Sequence, residues 1–270
     1  MNHALFLAPF GEFADPNATT ELALVAEEAG WDGIFLWDHM WRPEGDPLPV
    51  GDAWISLAAM ASATERLRLG PAITPLSRRR PQKVARETVA LDLLSHGRLT
   101  LGVGLGVNTG GELERFGETI DADVRADTLD EALEVLLELW TGAEVDHHGR
   151  HFIVDRVRFA PRPVQRPRIP IWGAARGGCG PRPLRRAARL DGLFPVDTTT
   201  DQLAEMLEVV AEERGSLDGF EVAMLAGPDT DLAALTERGV TWAMWSVDHR
   251  GPMADVLAVA RAGPTTGGGR

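Results

Sequence analysis

The 270-residue chain contains no tyrosine, one cysteine and one lysine. The single thiol, Cys179, excludes an internal disulfide and fits a reducing, cytoplasmic setting. The single lysine, Lys83, falls in the first turn of a predicted helix. Schiff-base chemistry of the aldolase type needs a lysine borne on a strand, so that mechanism is removed. No apolar run reaches the roughly 20 residues that cross a bilayer, and no membrane partner is expected. The start, Met1 to Pro9, is apolar without a basic segment before it and reads as a strand rather than a signal peptide. Positive charge is also scarce: 27 bases against 40 acids leave a net charge of −13. A surface of that sign repels phosphate backbones, so nucleic acid is not an expected partner.

What is present is a regular alternation of apolar strand patterns and amphipathic helix patterns. Strands are expected at 4–8, 32–37, 67–73, 99–103, 169–172, 192–196, 220–225 and 242–247, each followed by a helical pattern. Gly30 and Ser95-His96-Gly97 supply helix stops, and Pro81 a helix start. Eight βα units in order predict an α/β fold: a single (β/α)8 TIM barrel over residues 1–262, with a disordered tail at 263–270. A short insertion interrupts the rhythm between helix four and strand five, as a hairpin around His148-Gly149-Arg150 and a Pro-rich connector. An open doubly wound sheet is the competing fold. It expects a glycine-rich turn after strand one, and Ala8-Pro9-Phe10-Gly11 is not one.

In such barrels chemistry gathers at the carboxyl ends of the strands. Strand two ends in Trp37-Asp38-His39-Met40-Trp41, which places a titratable imidazole, His39, on that rim as the candidate catalytic group. Two glycine clusters leave strands four and five: Gly102-Val103-Gly104-Leu105-Gly106, and Gly173 to Gly180 with Arg176, Gly177 and Gly178. Glycine lets backbone N–H groups converge on an anion, so a phosphate-bearing ligand is expected between these loops. Ser77-Arg78-Arg79-Arg80 reads as a solvated face or as a guide for an anionic ligand. Trp41, Trp54, Trp172 and Trp245 lie near predicted strand ends or loops, where they would wall an aromatic ligand; Trp41 and Trp245 are candidate substrate contacts. Asp146, His147, His148 and His151 of the hairpin form a possible metal set, but without cysteine and off the rim; no metal is expected.

Gly30-Trp31-Asp32-Gly33 leading into Trp37-Asp38-His39, Leu69 to Leu76, Leu91 to Arg98 running into Gly102 to Gly106, Pro163 to Pro167 and Arg186 to Gly192 together resemble the luciferase-like monooxygenase family. The resemblance runs from about Leu5 to about Leu257. It implies a barrel flavoprotein: an oxidoreductase holding a reduced flavin or deazaflavin, with His39 and Asp38 near the ring. It also implies a non-proline cis peptide at Ala72–Ile73, followed by Thr74, under the ring. The phosphate would be met by Gly104, Gly106, Gly177 and Gly178, with Trp172, Gly173 and Arg176 beside it. A homodimer and, for a monooxygenase, a separate flavin reductase are further implications. The chain is shorter than many relatives, so a substrate-covering insertion is expected to be missing.

Two coenzymes and three roles stay open at this stage. The acidic surface favours FMN, because the deazaflavin coenzyme F420 carries an acidic tail that wants a basic track. Arginine-rich, lysine-poor composition points to a high-GC genome, where deazaflavin users are common. The leading role is an FMN-dependent monooxygenase acting on a small molecule; the alternatives are an F420-dependent dehydrogenase or reductase and a non-catalytic flavin-binding protein.

Overall fold

The computed structural model describes residues 1–42 and 48–264. The tail expected to be disordered lies, from residue 265, outside the described residues. Eight barrel strands are formed by β1 (Asn2–Leu7), β2 (Gly33–Leu36), a third strand in two pieces, β3 (Arg68–Pro71) and β4 (Thr74–Pro75), then β5 (Leu101–Gly104), β8 (Ile171–Arg176), β9 (Gly192–Val196), β10 (Glu221–Ala226) and β11 (Trp242–Ser246). All pairings in this sheet are parallel, in the order β3-β2-β1-β11-β10-β9-β8-β5-β4. The split third strand closes the ring. β3 pairs with β2, β4 pairs with β5, and Leu69 bonds across the seam to Arg98 and Thr100 at 3.1 and 2.9 Å. Gly70 permits that closure, since a Cβ there would lie 1.8 Å from the Thr100 carbonyl oxygen.

The helices are α1 (Pro16–Glu28), α2 (Ala53–Ala63), α3 (Pro81–Leu94), α4 (Ala122–Thr141), α5 (Pro181–Ala188), α6 (Thr200–Arg214), α7 (Leu232–Glu237) and α8 (Met253–Ala262). Their starts follow from local chemistry. Asp15, Asp52 and Asp121 each accept from first-turn N–H groups, and Thr199 with Gln202 makes a reciprocal capping box. Gly142 and Gly215 end α4 and α6 in the left-handed region. The insertion is the antiparallel hairpin β6 (Glu144–His148) and β7 (Ile153–Arg158), as expected. Glu131 of α4 pins it by accepting the N–H groups of Arg150, His151 and Phe152. No described helix is long and apolar enough to cross a membrane.

Strand alternation divides the side chains between two cores. Ala4, Phe6, Phe35, Ala72, Trp172, Phe194, Ala223, Trp242 and Met244 fill the barrel. The intervening residues pack outward on the helices. At the floor Arg68 sits over Trp172 and Trp242 and pairs with Glu221 at 2.6 and 2.8 Å, while both indole N–H groups donate to the same carboxylate. That plug fills the amino-terminal end of the barrel and leaves the carboxyl ends of the strands as the end where a site can form.

Candidate active site at the barrel mouth

His39 follows β2 onto the open rim. Its Nδ1 lies 2.6 Å from Oε2 of Glu112, whose side chain is 1% exposed. The other oxygen of Glu112 accepts from the Met40 N–H at 2.6 Å and from Arg78 at 3.0 Å. Burial by itself would raise the Glu112 carboxyl. The hydrogen bond from His39, the Met40 N–H and the charges of His39 and Arg78 outweigh it and hold the group at about 2. Glu112 is therefore an anion at neutral pH and accepts from His39 Nδ1–H. This fixes the tautomer and leaves Nε2 as the nitrogen able to exchange a proton with a ligand.

Asp38, next to His39, faces the other way. Its carboxylate is saturated by Arg79 at 2.7 Å, Thr74 at 2.7 Å and the Trp54 indole at 3.2 Å. Arg78 also donates to the Asp38 carbonyl. Thus Arg78 and Arg79, expected as a solvated face or a guide, are built into the site, and Arg80 alone of the three is exposed. Asp38 and Thr74, expected at the coenzyme, brace the strand ends from below.

Beside His39 the mouth is an apolar well. Trp37, Ile73, Ala174 and Val196 are partly buried around the top of the barrel core, and Leu225 on the same face is 37% exposed. Phe10 and Trp37 lie between His39 and a second histidine, His249, with ring centroids 5.2–6.3 Å apart. The Trp37 indole N–H is buried without a hydrogen-bond partner among the described residues. A partly exposed apolar surface beside an imidazole suits a planar heteroaromatic ring.

Ala72–Ile73 is cis, as the resemblance implies, and Ile73 lines the well. The glycine loops are more mixed. A Cβ on Gly104 would meet Ile73 at 2.3 Å, and one on Gly106 would meet Pro75 at 2.7 Å, so packing accounts for both. Gly177 is likewise hemmed in by Gln202 and the Asp197 carbonyl. Space remains at Gly178 and Gly180, where α5 begins without a side-chain cap, and Arg176 stands at the rim in an exposed pair with Asp197.

Three expected contacts are corrected. Trp172 is fully buried in the barrel floor, because β8 runs on to Arg176 and leaves Trp172 at its second position. Gly173 points outward, where its Cβ would touch Ala187 of α5 at 3.0 Å. Trp245 also faces outward, packing on Trp31 and donating to His3, since Trp242, Met244 and Ser246 take the inward positions of β11. Trp41 remains on the rim loop, beneath the Arg115 guanidinium. The hairpin histidines diverge, His147 to Glu131, His148 to Asp146 and His151 to Thr128.

Glu112 and His249 escape a reading of the sequence. Glu112 lies in the polar loop 105–121, whose irregular backbone has no periodicity to mark a buried position. An isolated acid in the Gly-Gly-Glu-Leu run is its only trace.

Comparison with known proteins gives the family and the fold. The luciferase-like monooxygenase family model matches residues 5–228. An F420-dependent glucose-6-phosphate dehydrogenase of Nakamurella multipartita is 30% identical over 261 residues, 91% of this chain and 74% of that protein. One from Microbacterium testaceum is 33% identical over 178 residues, 65% of this chain and 51% of its own. The chain thus spans between about half and three quarters of these relatives. Among solved structures, an F420-dependent secondary alcohol dehydrogenase in complex with an F420-acetone adduct superposes with a TM-score of 0.79 at 21% identity, covering 96% of this chain and 98% of that one. Monooxygenase RslO1 from Streptomyces bottropensis gives 0.78 at 19%, covering 97% of each. At these identities the two structures establish the shared fold.

Proposed function

This chain belongs to the luciferase-like monooxygenase family, and from that premise we propose that it is an oxidoreductase seating a flavin-type ring in the mouth beside His39. The observation that carries the reading is the His39–Glu112 pair, held by Arg78 at the edge of an open apolar well. The ring would rest on Ile73 and Ala174, beside Trp37. Its phosphate would lie toward Gly178 and Gly180 at the start of α5.

When bound, the coenzyme supplies the two-electron redox chemistry. The protein's part is positional and acid–base. Trp37, Ile73 and Val196 exclude water from the buried face of the ring. His39 Nε2 takes a proton from the substrate during oxidation or returns one during reduction. Glu112, charged throughout, stabilises the imidazolium while keeping its Nδ1 proton in place. The substrate is a small organic molecule entering from the open rim past Trp41.

The coenzyme proposed is the deazaflavin F420. The relatives named above depend on it, and the FMN argument from a lone basic run weakens once Arg78 and Arg79 belong to the site itself. The second reading is an FMN-dependent monooxygenase served by a separate flavin reductase. The net charge of −13 favours it, by opposing an acidic tail over most of the surface. In either reading the enzyme works in the cytoplasm on a small molecule, with a homodimer as the assembly to check by size in solution. The test is titration of the apoprotein with both reduced coenzymes at low and high salt. Tight, salt-sensitive deazaflavin binding is expected; tight FMN binding with no deazaflavin binding would overturn the choice.

A further inference from the structure

A second concavity lies on the flank of the mouth. A cavity of about 300 Å³ is lined by Arg78, Arg79 and Arg80 after β4, by Thr128 of α4 and by His151 and Phe152 at the hairpin turn. Glu118 is the sole acid in the lining among the described residues. Arg78 and Arg79 are paired with the carboxylates of Glu112 and Asp38 behind the wall, so the cavity presents guanidinium and imidazole N–H groups whose charges are largely balanced, with Arg80 as the unpaired cation among the described residues.

The groups also have capacity to spare. Arg78 and Arg79 spend their terminal nitrogens on Glu112 and Asp38, yet Arg79 Nε is buried without a partner among the described residues. Arg80 is exposed and makes no ion pair among the described residues. It stands at the start of α3, a 14-residue helix that opens on Pro81 with no side-chain cap. His151 adds a further unpaired nitrogen. The Thr128 hydroxyl donates to the Val124 carbonyl at 2.8 Å, so toward His151 Nδ1, at 3.4 Å, it can only accept. The proton of a neutral His151 therefore sits on Nδ1. Its Nε2 is buried, has no partner among the described residues, and becomes a second N–H donor on protonation. Among the described residues, two of the side chains that line the cavity thus keep a nitrogen without an acceptor, and Arg80 keeps its whole guanidinium.

We propose that this cavity is an anion-binding site for a phosphate or carboxylate group, adjoining the redox centre through Arg78. Arg78 lines the cavity and holds Glu112, which in turn holds His39. The anion has two possible sources, a free ion or the acidic tail of a deazaflavin whose ring occupies the mouth. Only the second source rests on the coenzyme reading; the site itself does not.

The probe is inorganic phosphate against chloride at equal ionic strength, read as the thermal midpoint of the full chain without coenzyme. Phosphate is expected to raise the midpoint saturably, and Arg80→Ala with His151→Phe to weaken the apparent affinity at least tenfold. Arg80→Ala alone, on an exposed side chain, serves if the double variant folds poorly. Phosphate acting no differently from chloride, or equally on wild type and variants, overturns the proposal. Titrations with the full deazaflavin and with its tail-less form then identify the source. A variant that loses affinity for the full coenzyme alone marks the tail. A variant that binds both forms normally, while losing phosphate, marks a separate ion.

Discussion

At the scale of single residues, the site is a set of ion pairs that orient one imidazole. His39→Ala should cut turnover by roughly 10²–10⁴-fold, the span of general acid–base catalysis, while coenzyme affinity falls far less. Steady-state kinetics beside a coenzyme titration checks this, and undiminished turnover would make His39 structural. Glu112 carries a second expectation. Its carboxyl is held at about 2 in the folded state against an ordinary 4.5. The stability it contributes is fully present above pH 4.5 and disappears as pH falls through about 2. The difference is worth on the order of 3 kcal/mol at neutral pH. Urea midpoints measured from pH 6 down to 2.5 should therefore fall more steeply in wild type than in Glu112→Gln; parallel curves would show that Glu112 does not carry the loss. His39, Asp38, Thr74, Trp54 and the arginine run could be singled out in the chain, but their pairing could not, and Glu112 could not. The arginines look solvated because a run of three usually is, and their acceptors, Asp38 and Glu112, lie 34–41 residues away in sequence.

At the scale of elements, the order of strands and helices could be read from the chain because buried parallel strands are continuous apolar runs between capped helices. What could not be read was where a strand ends when its last residues are small. Gly173-Ala174-Ala175 has weak strand preference and looks like loop, yet it carries β8 forward four residues. That extension sends Trp172 from the rim to the floor. The third strand posed the opposite problem, reading as one run although it changes partners between its halves. Its closure depends on Gly70. Gly70→Ala should destabilise the barrel by roughly 3 kcal/mol or more, since a methyl there must displace backbone rather than a flexible side chain. A thermal midpoint close to wild type would mean that the seam at Leu69 and Thr100 yields more easily than its geometry implies.

At the scale of the whole molecule, the family motifs prove to be joints of the scaffold as much as parts of the site. Arg98 ties the end of α2 to β3 through the carbonyls of Ala61, Thr64 and Leu67. Asp92 clasps the connector through the Val164 and Gln165 N–H groups and the Gln165 amide. These contacts explain why such motifs can identify the fold while remaining silent about substrate. The rim loops that choose the substrate, such as 105–121, have no comparable code.

The plug of Arg68, Glu221, Trp172 and Trp242 has a kinetic consequence. A tube sealed at one end has one doorway, and everything that enters must leave by it in reverse order. A ring lying deep against Ile73 and Ala174 would be trapped beneath whatever sits above it. Turnover should then follow a compulsory sequence, coenzyme first on and last off. Product-inhibition patterns report that directly: the oxidised or reduced coenzyme should compete with its partner form, and the organic product should not compete with the coenzyme. Random-order patterns would mean that a second passage opens through the barrel wall.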